Sequence, residues 1–183
     1  MLSFVIRTAR PDDLDQIWAL VRRAVAKMNA EGSEQWGPDY PTCADYAADI
    51  SRGELWAAVD PSGRVLGVAC INRNEDPSYA GVCWAYSGPV MSFHRAAVDP
   101  DIQRSGVATA LLRKAEELAR DAGLSAIHLD TYSKNRKMQG LFRKLGFVQR
   151  GEIHLHGRSL PFPAFEKTLC AEPAAPKGSA DKN

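Results

Sequence analysis

The sequence predicts a mixed α/β (α+β) domain folded around one central sheet, and three observations predict it. Runs rich in β-formers alternate with runs of helical period. The second half holds two strand–helix–strand crossings. A chain of 183 residues, 45% hydrophobic and 25% charged, can bury one core without metal or disulfide staples. Lys+Arg 23 against Asp+Glu 22 leaves a net charge of +1. That balance argues against a dedicated nucleic-acid or membrane-surface binder, which carries a clear basic excess. No apolar run reaches the ~18 residues of a membrane span, and the N-terminus reads as a strand, not a signal peptide. Cys43, Cys70, Cys83 and Cys170 make no C-x-x-C pair and no zinc spacing. Free thiols, a reducing cytoplasmic location and no metal are expected.

Each element has a local cause. Phe4, Val5 and Ile6 mark a strand over 3–8. Pro11, Asp12 and Asp13 open a helix, because proline suits a first turn and carboxylates favour the positive end of the dipole. Leu14, Ile17, Trp18, Val21, Val25 and Met28 give that helix one apolar face, and it should end near Gly32. The segment 31–41 is irregular. Thr42 with Asp45 forms a capping box for a helix to about Ile50. Strands over 54–60 and 64–72 flank the turn Asp60-Pro61-Ser62-Gly63. A polar loop follows, then a short strand over 82–86 and a longer one over 90–98. Residues 104–121 keep a helical period that Gly123 stops; strand 125–131 and helix 135–145, ended by Gly146, come next. Segments 147–155 and 160–169 read as a hairpin. The domain is expected to span 1–170. Residues 171–183, rich in Ala, Pro, Lys and Ser, are expected to form a disordered tail.

The most informative stretch is Asp99-Pro100-Asp101-Ile102-Gln103-Arg104-Ser105-Gly106-Val107-Ala108-Thr109. A strand ends at proline, and a helix begins at small residues. Such a helix start offers unpaired N–H groups and a positive dipole, a geometry suited to a pyrophosphate. The phosphate-loop pattern G-x-x-x-x-G-K-S/T and the dinucleotide pattern G-x-G-x-x-G are both absent.

Gln103-x-x-Gly106-x-Ala108 resembles the acetyl-CoA pyrophosphate motif of the GNAT superfamily of N-acetyltransferases, Q/R-x-x-G-x-G/A. Asn135, followed by Leu141-Phe142-Arg143-Lys144-Leu145-Gly146-Phe147, is similar to the same family's N…L-Y-x-K-L-G-F signature. The likeness covers roughly residues 3–169. It implies a mixed, mostly antiparallel sheet that splays at the acetyl-CoA cleft and is flanked by helices. It implies that the backbone of Ala96, Ala97 and Val98 pairs with the pantetheine arm. The amides of Arg104, Ser105, Gly106, Val107, Ala108 and Thr109 then hold the pyrophosphate, together with Gln103 of the motif. Asn135 and Phe142 lie near the thiol end. Arg136, Lys137 and Arg143 are candidates for the adenosine phosphates or, equally, a solvated helix face.

The chemistry implied is attack of a neutral amine on the thioester, with the Val98 N–H as oxyanion donor. The family's usual proton donor is the tyrosine of its second motif, and this chain carries Phe142 there. Tyr132 or Ser133, a water, or unassisted departure of the thiolate stand in. The last costs only about 2 kcal/mol at neutral pH for a thiol of ordinary pKa. His94 is the expected base, since a functional histidine sits at this strand step in arylalkylamine acetyltransferases of the superfamily. Arg95 should point to the other face and pair with a carboxylate. Trp36, Tyr40, Thr42 and Trp84 are expected to build the acceptor wall. Asp130 and Thr131 should border the cleft, with Asp130 binding an ammonium or orienting His94; Glu166 is a further candidate. His128, His154 and His156 form no metal set and read as structural or exposed. Tyr40-Pro41-Thr42, Phe93-His94-Arg95 and Leu129-Asp130-Thr131-Tyr132 resemble a bacterial subgroup of the same family that often lacks assigned substrates.

The activity implied is acetyl transfer from acetyl-CoA to a primary amine of a small molecule or peptide, without nucleic-acid or membrane partners, and a homodimer is what the resemblance leads one to expect. The alternatives are a non-catalytic acyl-CoA-binding module and a protein N-terminal acetyltransferase. The aromatic-rich 31–42 segment favours a closed, small-acceptor site.

Overall fold

The computed structural model describes residues 2–102 and 104–169; Gln103, Cys170 and the expected tail 171–183 lie outside the described residues. Seven strands form one sheet: β1 (Val5–Thr8), β2 (Leu55–Val59), β3 (Val65–Asn72), β4 (Met91–Val98), β5 (Ala126–Asp130), β6 (Val148–Ile153) and β7 (Phe162–Thr168). Their spatial order is β1-β2-β3-β4-β5-β7-β6, antiparallel throughout except for the parallel pair β4–β5. Helices α1 (Leu14–Ala30) and α2 (Cys43–Ser51) cover one face, and α3 (Val107–Asp121) and α4 (Arg136–Lys144) the other.

The local causes are those read from the sequence. A single 3-10 turn over Pro11–Asp13 leads into α1, and Gly32 follows the helix with φ +79°. Thr42 caps α2, accepting the Asp45 amide at 3.3 Å, while the Asp45 carboxylate takes the Thr42 N–H at 2.7 Å. Asp60 Oδ1 accepts from the Ser62 and Arg64 amides and closes the β2–β3 turn. Asn135 caps α4 by accepting the Met138 amide at 3.2 Å.

Two expectations change. Helix α3 begins at Val107, not at 104, because Arg104 (φ +63°) and Gly106 (φ +85°) are left-handed and cannot continue a right-handed helix. Residues 82–86 form no strand. A 3-10 turn over Pro77–Gly81 precedes them, and the Ala85 and Tyr86 amides donate to the Glu166 carboxylate at 3.1 and 2.9 Å. Their β-forming residues are spent on side-chain packing: Trp84 stacks on His128 with ring centroids 3.7 Å apart.

The two layers are continuous hydrophobic cores. Leu111, Leu112 and Ala115 of α3 pack with Phe93, Leu129 and Phe165, and Phe142 of α4 joins them. Ile17, Leu20 and Val21 of α1 pack with Tyr46, Leu55 and Val68 on the opposite face. Burial of such side chains, at roughly 1.5–3 kcal/mol each, supplies the main drive to this arrangement.

Candidate active site

The site arises where β4 and β5 part. The two strands pair only over Met91–Phe93 and Ile127–Leu129. Beyond Phe93, β4 runs on to Val98 while β5 stops at Asp130. A bulge accompanies the parting: Val68 faces Ala97 and Cys70 faces His94, so two residues of β4 oppose one of β3. The extra residue is Arg95, with φ +48°. Its consequence is a change of face. Met91 and Phe93 belong to the α3–α4 core, Ala96 and Val98 pack against that same core, and Ala97 belongs to the α1–α2 core. The parity of the strand has flipped.

The Asp99 N–H donates to the Leu66 carbonyl at 2.9 Å, which fixes the hydrogen-bonding rows of the β3–β4 pair. The polar backbone groups of Val98 and Ala96 therefore turn away from β3, toward the gap. Behind them, Asp99 is fully buried and anchors the turn into α3, bonded by Arg23 and Arg64 at 2.7 and 2.6 Å and by the Asp101 amide at 3.1 Å. Burial works to raise its pKa, but these three donors outweigh it and hold the carboxyl below its usual range. Gly106 opens α3 with no side-chain cap, and nothing lies within 4 Å of where its Cβ would stand. A bare helix start facing open space is a suitable seat for a diphosphate.

A cavity of about 380 Å³ passes through the gap from one face of the sheet to the other. Phe93, Phe142, Met138 and Asn135 line its α3–α4 end. Trp36, Tyr40, Tyr79, His94, Arg95, Asp130, Thr131 and His156 line the other. Of the sequence candidates, Ala96, Asn135, Phe142, His94, Trp36, Tyr40, Asp130 and Thr131 thus meet at one cavity.

Others do not. Tyr132 is fully buried outside the cavity, its ring 5.1 Å from Phe162 and its hydroxyl 3.3 Å from both Glu34 and Ser159. Ser133 is equally committed, its hydroxyl donating to the Pro161 carbonyl. Neither reaches the gap, because the chain turns away after Thr131. Trp84 stands behind Tyr79, stacked on His128. Thr42 is spent on capping α2. Glu166 faces the Ala85–Tyr86 loop, His128 and Arg150 instead of the cleft. No hydrogen bond joins Asp130 to His94 among the described residues, so Asp130 does not orient it.

Arg95 pairs with a carboxylate as expected, but not across the sheet. The bulge keeps it on the same side as His94, where Nε and Nη2 donate to Asp49 at 2.7 Å each. Asp49 is fully buried and also meets Arg52, which pairs with Glu54 at 3.0 Å. Asp49, Glu54 and Cys70 cluster closely enough to suggest a cation site, but Arg95 and Arg52 already supply the positive charge there. Burial pushes the Cys70 thiol up to about 12. His156, read as structural or exposed, joins the wall by stacking on Tyr40 at 3.9 Å. No periodicity in the sequence signals this, since both residues sit in irregular loops far apart in the chain.

Electrostatics separates His94 and Asp130, two of the titratable groups that line the gap. Burial, aided by the neighbouring Arg95 charge, drives His94 down to about 4, so its ring is neutral at neutral pH. Its Nε2 and the Ser92 hydroxyl are buried without hydrogen-bond partners. Burial pushes Asp130 up to about 6, against the opposing bond from the Tyr79 hydroxyl at 2.6 Å.

Comparison with known proteins agrees with this architecture. The profile described as "Acetyltransferase (GNAT) family" matches residues 19–147. The chain is 29% identical over 136 residues to the aminoglycoside N(6')-acetyltransferase type 1 of Klebsiella aerogenes, covering 69% of this chain and 85% of that protein. A shorter match, 38% identical over 64 residues, takes in 35% of this chain and only 28% of human N-acetyltransferase 8B. The crystal structure of a GNAT-family acetyltransferase from Streptococcus agalactiae superposes with a TM-score of 0.80 at 28% identity, covering 93% of this chain and all of that one.

Proposed function

Because the chain belongs to the GNAT family of acetyltransferases, we propose that it transfers the acetyl group of acetyl-CoA to the primary amine of a small acceptor. The observation that carries this reading is the cavity through the parted strands, lined by Phe93, Ala96, Asn135 and Phe142 toward α3–α4 and by an aromatic, acidic pocket on the other side, with the uncapped start of α3 following β4 in the chain. Acetyl-CoA, the family's acyl donor, supplies an activated thioester carbonyl when bound. The residues fit it: Gly106 leaves its Cβ side empty, α3 lacks a side-chain cap, and Ala96 and Val98 face their backbone groups into the gap. The amides of Arg104 through Thr109 hold the diphosphate in this reading, the backbone of Ala96 and Val98 aligns the arm, and the Val98 N–H supplies the oxyanion donor. Asn135 and Phe142 border the thiol end.

At the other end, Trp36, Tyr40 and His156 provide flat faces for the acceptor, and Asp130 provides negative charge for its ammonium. A volume near 380 Å³ is that of a small-molecule pocket and supports a compact acceptor over a long peptide. Neither Tyr132 nor Ser133 replaces the family tyrosine at Phe142, which is 1% exposed amid Phe147 and Phe165. The thiolate therefore leaves with at most a water to protonate it, a modest cost for a group of its pKa.

The deciding experiment incubates the protein with acetyl-CoA and a panel of primary amines, following free-thiol release and confirming the acetylated product by mass spectrometry. Amine-dependent release is expected. Tight coenzyme A binding with no release for any amine would replace this reading with that of a non-catalytic acyl-CoA-binding module.

A further inference from the structure

The geometry points to Asp130, held by Tyr79, as the group that receives the acceptor's ammonium and takes its proton, in place of the histidine beside it. The inference rests on the acetyl-transfer reading, and deepens it by naming the acceptor's landing point.

The register places Asp130 for this role. Ser92 pairs with His128 and Phe93 with Leu129, so His94 and Asp130 are the next residues on either bank, just where the strands separate. Ser92 and His94 share a face of β4, as His128 and Asp130 share a face of β5. A row of polar groups therefore borders the gap on the acceptor side: Ser92 and His94 on β4, Asp130 on β5. Ser92 is 2% exposed, lines the cavity, and keeps a hydroxyl with no partner; His94 Nε2 is likewise unpartnered. Buried polar atoms are seldom left unpaired, so these two point to a polar ligand in the gap.

Asp130 differs from its neighbours in what its two oxygens do. Oδ2 accepts the Tyr79 hydroxyl at 2.6 Å, while Oδ1 makes no hydrogen bond among the described residues and the residue lines the cavity. Tyr79 is itself buried at 6% exposure with its ring packed against Trp84, centroids 5.3 Å apart, so the phenol is held in place and holds the carboxylate.

The other charged groups around the gap are occupied. Arg95 is bound to Asp49, and Arg52 to Asp49 and Glu54. Glu75 contacts His128 at 2.6 Å, Asp76 caps the Ser78 amide, and Glu166 on β7 is taken by Arg150 and two amides. His156 is stacked on Tyr40 and its pKa is lowered by burial and by Arg158. His94 resists a proton at neutral pH because burial and Arg95 oppose the charged ring. It serves as a neutral hydrogen-bond partner. The step is a simple proton transfer: an N–H bond of the ammonium breaks, an O–H bond forms at Asp130 Oδ1, and the nitrogen keeps the electron pair with which it attacks. Asp130 later returns the proton to solvent.

The test uses the full chain saturated with coenzyme A and propylamine, 1,4-diaminobutane and phenethylamine as probes, with binding read from tryptophan fluorescence. Asp130→Asn is expected to weaken amine binding by about 10- to 100-fold, the range of one lost charge-assisted hydrogen bond, and to leave coenzyme A affinity unchanged. For any amine that turns over, kcat/KM in the wild type should fall on the acid side with a midpoint near 6, and Asp130→Asn should abolish that limb. Tyr79→Phe should move the limb upward, because the phenol's hydrogen bond favours the ionised carboxylate; a merely structural tyrosine would lower the rate at every pH alike. Asp130→Glu should recover part of the loss. Equal amine binding by wild type and Asp130→Asn, no binding of any probe to the wild type, or an acid limb that survives in Asp130→Asn and vanishes in His94→Ala each overturns the assignment. Asp130-dependent amine binding with no thiol release would instead reject acetyl transfer while leaving the ammonium site standing.

Discussion

Arg95 illustrates how one residue decides a site. Its left-handed φ of +48° inserts an extra residue into β4, so that His94 and Arg95 reach the same side of the sheet although they are adjacent in sequence. The conformation is costly for a residue with a Cβ, and the bidentate bond to the buried Asp49 helps to hold it. Asp130 carries the opposite kind of cost. Its folded pKa of about 6 stands above the ordinary value of 3.8, so the fold favours the protonated form. The stability this lends is complete below about pH 4 and is lost as pH rises through 6. Asp130→Asn escapes the loss. Its melting temperature should match the wild type at pH 4 and exceed it above pH 7, by an amount equivalent to roughly 1–3 kcal/mol; a constant difference across that range would contradict the assigned environment. At Gly106 the cost is steric. With φ +85° and empty space at its Cβ, Gly106→Val is expected to reduce acetyl-CoA affinity more than tenfold in calorimetric titration, by strain and by filling the diphosphate seat. Unchanged affinity would remove the helix start from the cofactor site.

Among the elements, the periodic ones were readable and the aperiodic ones were not. Helices α1, α2 and α4, the β2–β3 hairpin and the β6–β7 hairpin lie where cap residues and apolar spacing put them. Residues 82–86 misled because Val82, Trp84 and Tyr86 have strand-like composition, yet the strand position beside β4 is taken by β5, whose pairing is set by residues far along the chain. Gly67 shows how tightly elements are matched. A Cβ there would stand 2.7 Å from Val107 Cγ1 and 3.0 Å from the Ala97 carbonyl, at the point where α3 begins and β4 nears its end. Gly67→Ala is therefore expected to destabilise the protein by about 1–3 kcal/mol in urea unfolding, the usual cost of overpacking, and to weaken acetyl-CoA binding by displacing the start of α3. Wild-type values for both would show that the helix start tolerates movement.

For the molecule as a whole, the site is an assembly of distant pieces. The loop 31–42 and the β6–β7 connection close over the side of the cavity away from α3 and α4, joined by the Tyr40–His156 stack, the Arg158–Asp39 pair at 2.8 Å and the Ser159–Glu34 bond at 2.6 Å. Asn135, the N-cap of α4, ties this cover to that helix through Gln35 at 3.1 Å. Leu169, the last of the described residues, is 7% exposed and donates its N–H to the Ser125 carbonyl, so the packed core reaches that position. A chain cut after residue 170 is accordingly expected to keep the thermal midpoint and acetyl-CoA affinity of the full chain; a clear loss of either would extend the domain beyond that position.

By itself the sequence determined the class of fold, the periodic elements and the family, because these depend on local residue types at fixed spacing, and it marked the start of α3 as the candidate cofactor seat. It also supplied His94, Asp130, Trp36 and Tyr40 as candidates. Only the tertiary structure decided that Tyr132, Trp84 and Thr42 lie apart from the cavity, that His156 and Tyr79 belong to it, and that Arg95 and His94 share a face. Those outcomes turn on a bulge, a strand separation and contacts between loops remote in sequence. Side-chain direction at such places is set by three-dimensional packing, and a linear pattern of two or 3.6 residues carries no record of it.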